Sequence, residues 1–321
     1  MMNKYIGHPQ QISGVLEVTL AKGKGKGMTL LQAQNGCGLE ITFSADRAMD
    51  ISKVILKGDN LSYFSPCGYV APGFYDNRSM GFLKSFTAGF MTTCGLTAVG
   101  SPCVDDGEEL PLHGTIANTP CENYWYDETE SEIIIKAVVR DAAIFAHQLI
   151  LEREYKISKA ENKLLLTDKI KNIGSVLSPL EVLYHCNIGY PLLSENTILD
   201  ISAKATEPRD DHAKSGVAEC FKMEKPQRGY REMCYYHTLT DGRISAYNPD
   251  IKKRVTISFD TSELPHFVEW KMMGEHDYVL GLEPGNCLPD GRAAMREKGM
   301  LEFLAPDEEK IHHLKFEFAE E

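Results

Sequence analysis

Two histidines and one glutamate interrupt stretches that are otherwise apolar, and all three are residue types that move protons. His113 lies in Leu110-Pro111-Leu112-His113-Gly114-Thr115-Ile116-Ala117-Asn118-Thr119-Pro120, where Gly114 lets the backbone come close to another group. His185 lies in Pro179-Leu180-Glu181-Val182-Leu183-Tyr184-His185-Cys186-Asn187-Ile188, and Asn187, two residues on, shares its face of a strand. Glu283 ends the apolar run Tyr278-Val279-Leu280-Gly281-Leu282, directly before the turn Pro284-Gly285-Asn286. An imidazole titrates near neutral pH and serves as either acid or base. A carboxylate partly withdrawn from water rises toward the pKa of a useful base. Each position also has an ordinary structural reading. His113 alone is a hydrogen-bonded structural histidine, His185 with Asn187 an internal polar cluster, and Glu283 a turn cap.

The elements that must position these residues read as strands. The segment 132–140 is β-branched, and 147–157 places Leu149, Leu151, Tyr155 and Ile157 on one face by two-residue alternation. The segment 163–172 follows the turn Ser158-Lys159-Ala160-Glu161-Asn162, so this pair predicts an antiparallel hairpin. Similar strands are predicted at 15–20, 39–44, 51–57, 199–205, 243–247, 253–259, 266–272, 278–282, 300–304 and 311–318, separated by turn signals such as Asn35-Gly36 and Asp241-Gly242. Residues 78–97, and those around 62–66, predict short helical turns at most. Many strands with few helices give an all-β fold of sandwiched antiparallel sheets. No linker divides the chain, so 1–321 reads as one continuous domain.

Composition narrows the partners. The 321 residues are 43% hydrophobic, enough for a real core, and carry a formal net charge of −12. A surface this acidic repels phosphate backbones and anionic headgroups, so nucleic acid and membrane are poor partners. A neutral small molecule needs only local polarity. The N-terminus, Met1 to His8, has no apolar run behind its lysine, which argues against a secretory signal. No stretch approaches 18 apolar residues. The nine cysteines are scattered, without a CxxC pair, which predicts reduced cytoplasmic thiols rather than a disulfide framework or a zinc site. A cysteine–histidine nucleophile at His185-Cys186 is disfavoured, because neighbours on a strand point to opposite faces.

Taken in order, Leu112-His113-Gly114, Tyr184-His185-Cys186-Asn187 and Leu282-Glu283-Pro284 resemble the His, His, Glu order of galactose mutarotases. The sequence is closer still to an aldose 1-epimerase-like branch of that superfamily. Asp46-Arg47-Ala48-Met49-Asp50-Ile51 is similar to its Asp-Arg-Gly-Met-Asp-Ile element, and Gly89 to Leu96 to its Thr-Thr-Cys-Gly-Leu element. His113 to Pro120 and the pair Arg292 and Arg296 match further pieces. The resemblance runs from about residue 38 to 318. Ala48 and Ala88 stand where glycine is usual, and Thr115 where arginine is common.

The resemblance implies a large antiparallel β-sandwich with an open sugar cleft and no cofactor or metal. It makes Glu283 the base on the anomeric hydroxyl, His185 the acid on the ring oxygen and His113 an orienting group. Lys271 is the preferred contact of the Glu269-Trp270-Lys271 strand, leaving Trp270, which points to the other face, for the core. Arg47 reaches a sugar hydroxyl or pairs with Asp46 or Asp50, Glu232 accepts from a hydroxyl, and Asn187 assists beside His185. The implied partner is a monosaccharide or sugar derivative, and the chain a monomer or homodimer. Three activities remain open: an aldose 1-epimerase, a sugar sensor without turnover, and an epimerase or isomerase of a modified or phosphorylated sugar. The last requires Arg47, Lys84, Lys271 and Arg292 to converge.

Overall fold

Two-residue alternation along the chain becomes, in the computed structural model, a succession of antiparallel strands. Residues 4–321 are described; Met1 to Asn3, the start of the segment read above for a secretory signal, lie outside them. Among the described residues, eighteen strands join one sheet whose ladders are all antiparallel, and two two-stranded sheets accompany it. The predicted hairpin forms between Gln148–Ser158 and Lys163–Asn172, with Tyr155 opposite Leu166. The large sheet folds over itself as an all-β sandwich. Its apolar core is continuous from Val15 to Phe318 and includes Phe43 against Tyr155, ring centroids 4.6 Å apart. Among the described residues, no helix is long and apolar enough to cross a membrane.

Several elements differ from expectation. Residues 78–97 hold one 3-10 turn, Ser79–Lys84, a two-residue strand, Ala88–Gly89, and then a strand, Met91–Leu96, that is buried throughout. With both faces buried it shows no alternation, which hid it. The 62–66 region contains a short strand, Tyr63–Phe64, rather than helical turns. The segment 243–247 is the end of a strand of 16 residues, Met233–Asn248. Thr29–Gln34 and Asn123–Glu128 are further strands that alternation did not reveal.

An ion cluster lies inside the sandwich. The fully buried Arg153 donates from Nε and Nη2 to the two oxygens of Asp168 at 2.8 and 2.6 Å, from Nη1 to Asp50 Oδ1 at 2.8 Å, and from Nη2 to Thr93 Oγ1 at 2.7 Å. Asp50 also accepts from the Thr93 amide and hydroxyl, and Tyr184 donates its hydroxyl to Asp168 at 2.9 Å. The Asp46 to Asp50 element therefore works inside the fold. Ala48 and Met49 have φ of 49° and 57°, and Ala88 has 62°. The two alanines that replace the usual glycine thus occupy the left-handed region, at a cost of about 1 kcal/mol each. Arg292 and Arg296 both donate to Asp105, at 2.7 Å from each Nε, and tie down a loop rather than a ligand.

A buried charge stripped of its partner is strongly destabilising. Asp168→Asn leaves Arg153 undercompensated, and is expected to lower the unfolding free energy by ~3–5 kcal/mol in urea titrations; a change within experimental error would remove the cluster from the account of stability.

Candidate active site

Strand register brings the first two functional groups together. Ser178–Ile188 pairs with Tyr278–Gly285 so that Leu183 opposes Gly285 and Cys186 opposes Leu282, which sets His185 against Glu283 on one face. His185 Nε2 lies 3.2 Å from Glu283 Oε1. Among the described residues, neither Glu283 Oε1 nor His185 Nδ1 has a hydrogen-bond partner. Next on the same face, Val268 opposes Glu283 and Trp270 opposes Gly281. A Cβ at Gly281 would come within 2.2 Å of Glu283 Oε1, so the glycine leaves the space that the carboxyl occupies.

His113 arrives from a loop on the other side. Its φ is 58°, and backbone hydrogen bonds hold it: its amide donates to Gly100 O at 3.0 Å, and the Gly95 amide donates to its carbonyl at 3.1 Å. Gly114 is required beside it, because a Cβ there would meet Gly95 O at 2.3 Å and Ala98 O at 2.5 Å. The Gly100 amide donates to His113 Nδ1 at 3.3 Å, which leaves the proton on Nε2. The two imidazole centroids are 5.6 Å apart.

These groups line a hollow of about 400 Å³, together with Phe82, Phe86, Arg209, Glu232, Cys234 and Trp270. Trp270 Nε1 donates to Glu232 Oε2 at 2.7 Å, and Arg209 Nη2 donates to Glu232 Oε1 at 3.0 Å. The indole centroid is 5.2 Å from that of His185, edge to face. The hollow thus combines an aromatic wall with a few convergent polar groups, the usual make-up of a small-molecule site.

Burial governs the titrations. It holds His113 down at about 4, with the Glu232 charge offsetting only part of the effect. It holds His185 far below the usual imidazole range, helped by His113, and pushes Glu283 well above the carboxylate range, helped by Glu232 and opposed by Arg209. At neutral pH both imidazoles are neutral, and burial favours the protonated form of the Glu283 carboxyl. A proton on that carboxyl can pass to His185 Nε2, 3.2 Å away.

Of the expected binding residues, Glu232 lines the hollow and three others do not. Lys271 lies on the face away from the hollow: its Nζ donates to Lys222 O at 2.6 Å and Glu219 O at 3.3 Å, and Trp270, expected in the core, lines the hollow instead. Register explains the reversal, since Trp270 lies two residues from Val268, the cross-strand partner of Glu283. Asn187 is fully buried and turns back to donate to the His185 carbonyl at 2.8 Å. Arg47 donates to Asn118 Oδ1 at 2.9 Å and to Val70 O; neither Asp46 nor Asp50 accepts a hydrogen bond from it, and burial lowers its pKa to about 10. Lys84 pairs with Asp76, and Arg292 with Asp105 and Glu108, so the four cations do not converge. Arg209 and the aromatic wall were missed; Arg209 follows a strand end in a polar segment with nothing local to mark it. Among the described residues, no group of three or more His, Cys, Asp or Glu is placed to hold a metal ion.

Comparison with known proteins adds the family. Residues 25–318 match the model of a family described as a domain of unknown function, DUF4432. No curated protein matches the chain. Among solved structures, a Klebsiella pneumoniae protein described as a "putative aldose 1-epimerase" is 25% identical, with a TM-score of 0.89 over 96% of this chain and 83% of that one. A galactose mutarotase-like protein from Clostridium acetobutylicum is 15% identical, with a TM-score of 0.71 over 97% of this chain and 100% of its own. Galactose 1-epimerase from Lactobacillus acidophilus is 14% identical, with a TM-score of 0.65 over 96% and 99%.

A histidine with its pKa lowered to about 4 stays neutral from pH 8 to 5, and histidine-selective NMR titration is expected to find His113 unprotonated throughout. Linkage fixes the sign for stability. As pH falls from 6.5 toward 4 the unfolded chain binds a proton that folded His113 refuses, so stability is complete above 6.5 and is lost on acidification. His113→Asn is expected to flatten that part of the stability–pH curve; an unchanged slope would place the sensitivity elsewhere.

Proposed function

The chain belongs to the DUF4432 family and has the galactose mutarotase-like fold, and from that premise we propose that it is an aldose 1-epimerase acting on an uncharged sugar. The observation that carries the reading is His185 Nε2 set 3.2 Å from Glu283 Oε1 in a hollow of about 400 Å³. Anomer interconversion needs a proton taken from the C1 hydroxyl and one delivered to the ring oxygen. The ring opens, the aldehyde turns, and closure on the other face reverses both transfers.

On sugar binding the carboxyl proton of Glu283 first passes to His185; His185 then delivers it to the ring oxygen, while Glu283, now a carboxylate, takes the proton of the C1 hydroxyl. No net charge is created in the site, which suits groups that burial keeps neutral. His113 donates from Nε2 toward the ring oxygen and orients it. The Trp270 indole offers a platform for the C–H face, and Glu232 accepts from hydroxyls with the lone pairs that Arg209 and Trp270 leave free. Among the described residues, Arg209 is the one cation that lines the hollow, and Glu232 already pairs with it. That supports a neutral sugar over a phosphorylated one. All nine cysteines are free thiols, which supports a cytoplasmic setting. We read 1–321 as one domain, on the strength of its continuous core.

Positioned acid or base catalysis contributes about 10²- to 10⁴-fold per group. Polarimetry or NMR exchange on freshly dissolved aldoses is expected to show acceleration by wild type, and a loss of at least ~10²-fold in Glu283→Gln and in His185→Asn. Equal rates for all three on every sugar would overturn the assignment, and tight binding without turnover would make the protein a sugar sensor. Gly281→Ala, which forces the carboxyl aside without removing it, is expected to cost ~10²-fold in kcat with little change in KM.

A further inference from the structure

The face that carries the reacting groups continues past them. Along the paired strands His266–Met273 and Tyr278–Gly285, the rungs on this face are Val268 with Glu283, Trp270 with Gly281, and Met272 with Val279. A second hollow of about 480 Å³ opens over the third rung. It shares Leu83, Phe86, Glu232 and Trp270 with the first, so these four residues form the boundary between the two. Met272 is four residue steps on from Val268, about 13 Å along a strand. One pyranose ring at His185 and Glu283 does not reach that far.

The chemistry of the second hollow differs from that of the first. Its surface is dominated by Pro66, Phe86, Met272, Val279 and the indole of Trp270. Its polar groups already have partners. Tyr63 donates to Asp277 at 3.3 Å, the Ser65 hydroxyl donates to Phe86 O, and Cys67 donates to Leu83 O at 3.2 Å. A second sugar ring would find few open hydrogen-bond partners there, whereas an apolar group would find a dry wall.

We propose that the substrate is a reducing sugar carrying an uncharged apolar substituent, alkyl, acyl or aryl, whose ring binds at His185 and Glu283 and whose substituent lies over Trp270 in the Met272–Val279 hollow. This rests on the epimerase reading of the first hollow and names the substrate class for it. Trp270 then serves both halves, as a platform for the ring and as the near wall for the substituent.

The probes are the 4-O-benzyl and 6-O-benzyl ethers of galactose and glucose, with the parent sugars and a reducing disaccharide, lactose, as comparisons. Binding is measured by ligand-observed NMR titration and turnover by anomer exchange. At least one benzyl ether is expected to bind about tenfold or more tighter than its parent, in line with burial of an aromatic ring. Met272→Lys, or Cys67→Arg on a separate element should the first fail to fold, is expected to abolish that gain while parent-sugar exchange stays within about twofold of wild type. Ethers that bind no tighter than their parents, a gain that survives both substitutions, or a gain shown only by lactose would each overturn the proposal. The two readings separate cleanly. Parent sugars exchanged normally with no benzyl gain would sink the substituent alone. A benzyl gain lost in Met272→Lys, with no exchange on any sugar, would keep the second hollow and sink the epimerase.

Discussion

Two ionisable groups that face each other across one antiparallel register, out of water, cannot each carry a charge at ordinary cost. His185 and Glu283 are in that position, 2–5% exposed and 3.2 Å apart, and the remaining features of the site follow from it. Burial lowers the imidazole and raises the carboxyl, so the pair stays neutral overall and keeps one proton that either member can hold. A reaction that takes a proton from one oxygen and gives one to another suits such a pair, because its charge is conserved throughout. Gly281 supplies the room for the carboxyl, and His113, pinned through Nδ1 by the Gly100 amide, adds a fixed donor without adding charge.

Placement of that pair depends on what lies beneath the sheet. Tyr184 and His185 are neighbours on one strand and point to opposite faces. Tyr184 reaches inward to Asp168, and through it to Arg153, Asp50 and Thr93. The cluster ties the His185 strand to four others from inside the sandwich. It also explains why the Asp46 to Asp50 element is part of the sequence pattern without touching a ligand: it holds the scaffold, and the scaffold sets the distances.

That His113, His185 and Glu283 are candidates was legible because each interrupts an apolar stretch, and polar groups in such places need either internal partners or a ligand. The identity of the binding residues was less so. Alternation gave correctly that Trp270 and Lys271 face opposite ways, but one strand read alone does not say which face is the cleft. Only its register with the Glu283 strand decides that, and register is a long-range property. Arg47 and Asn187 illustrate a second limit: a buried polar side chain looks the same in sequence whether it serves a ligand or the core. Strands buried on both faces, such as Met91–Leu96, lose the alternation that reveals others. Arg209 had no local signal, since its role comes from Glu232 and Cys234, brought to it by the fold.

The most direct measurement is a crystal structure of the protein soaked with an aldose. A pyranose ring is expected in the hollow over Trp270, its C1 hydroxyl within hydrogen-bond distance of Glu283, and its ring oxygen within that distance of His185 and His113. A sugar bound elsewhere, or a ring turned so that neither oxygen meets these side chains, would contradict the account.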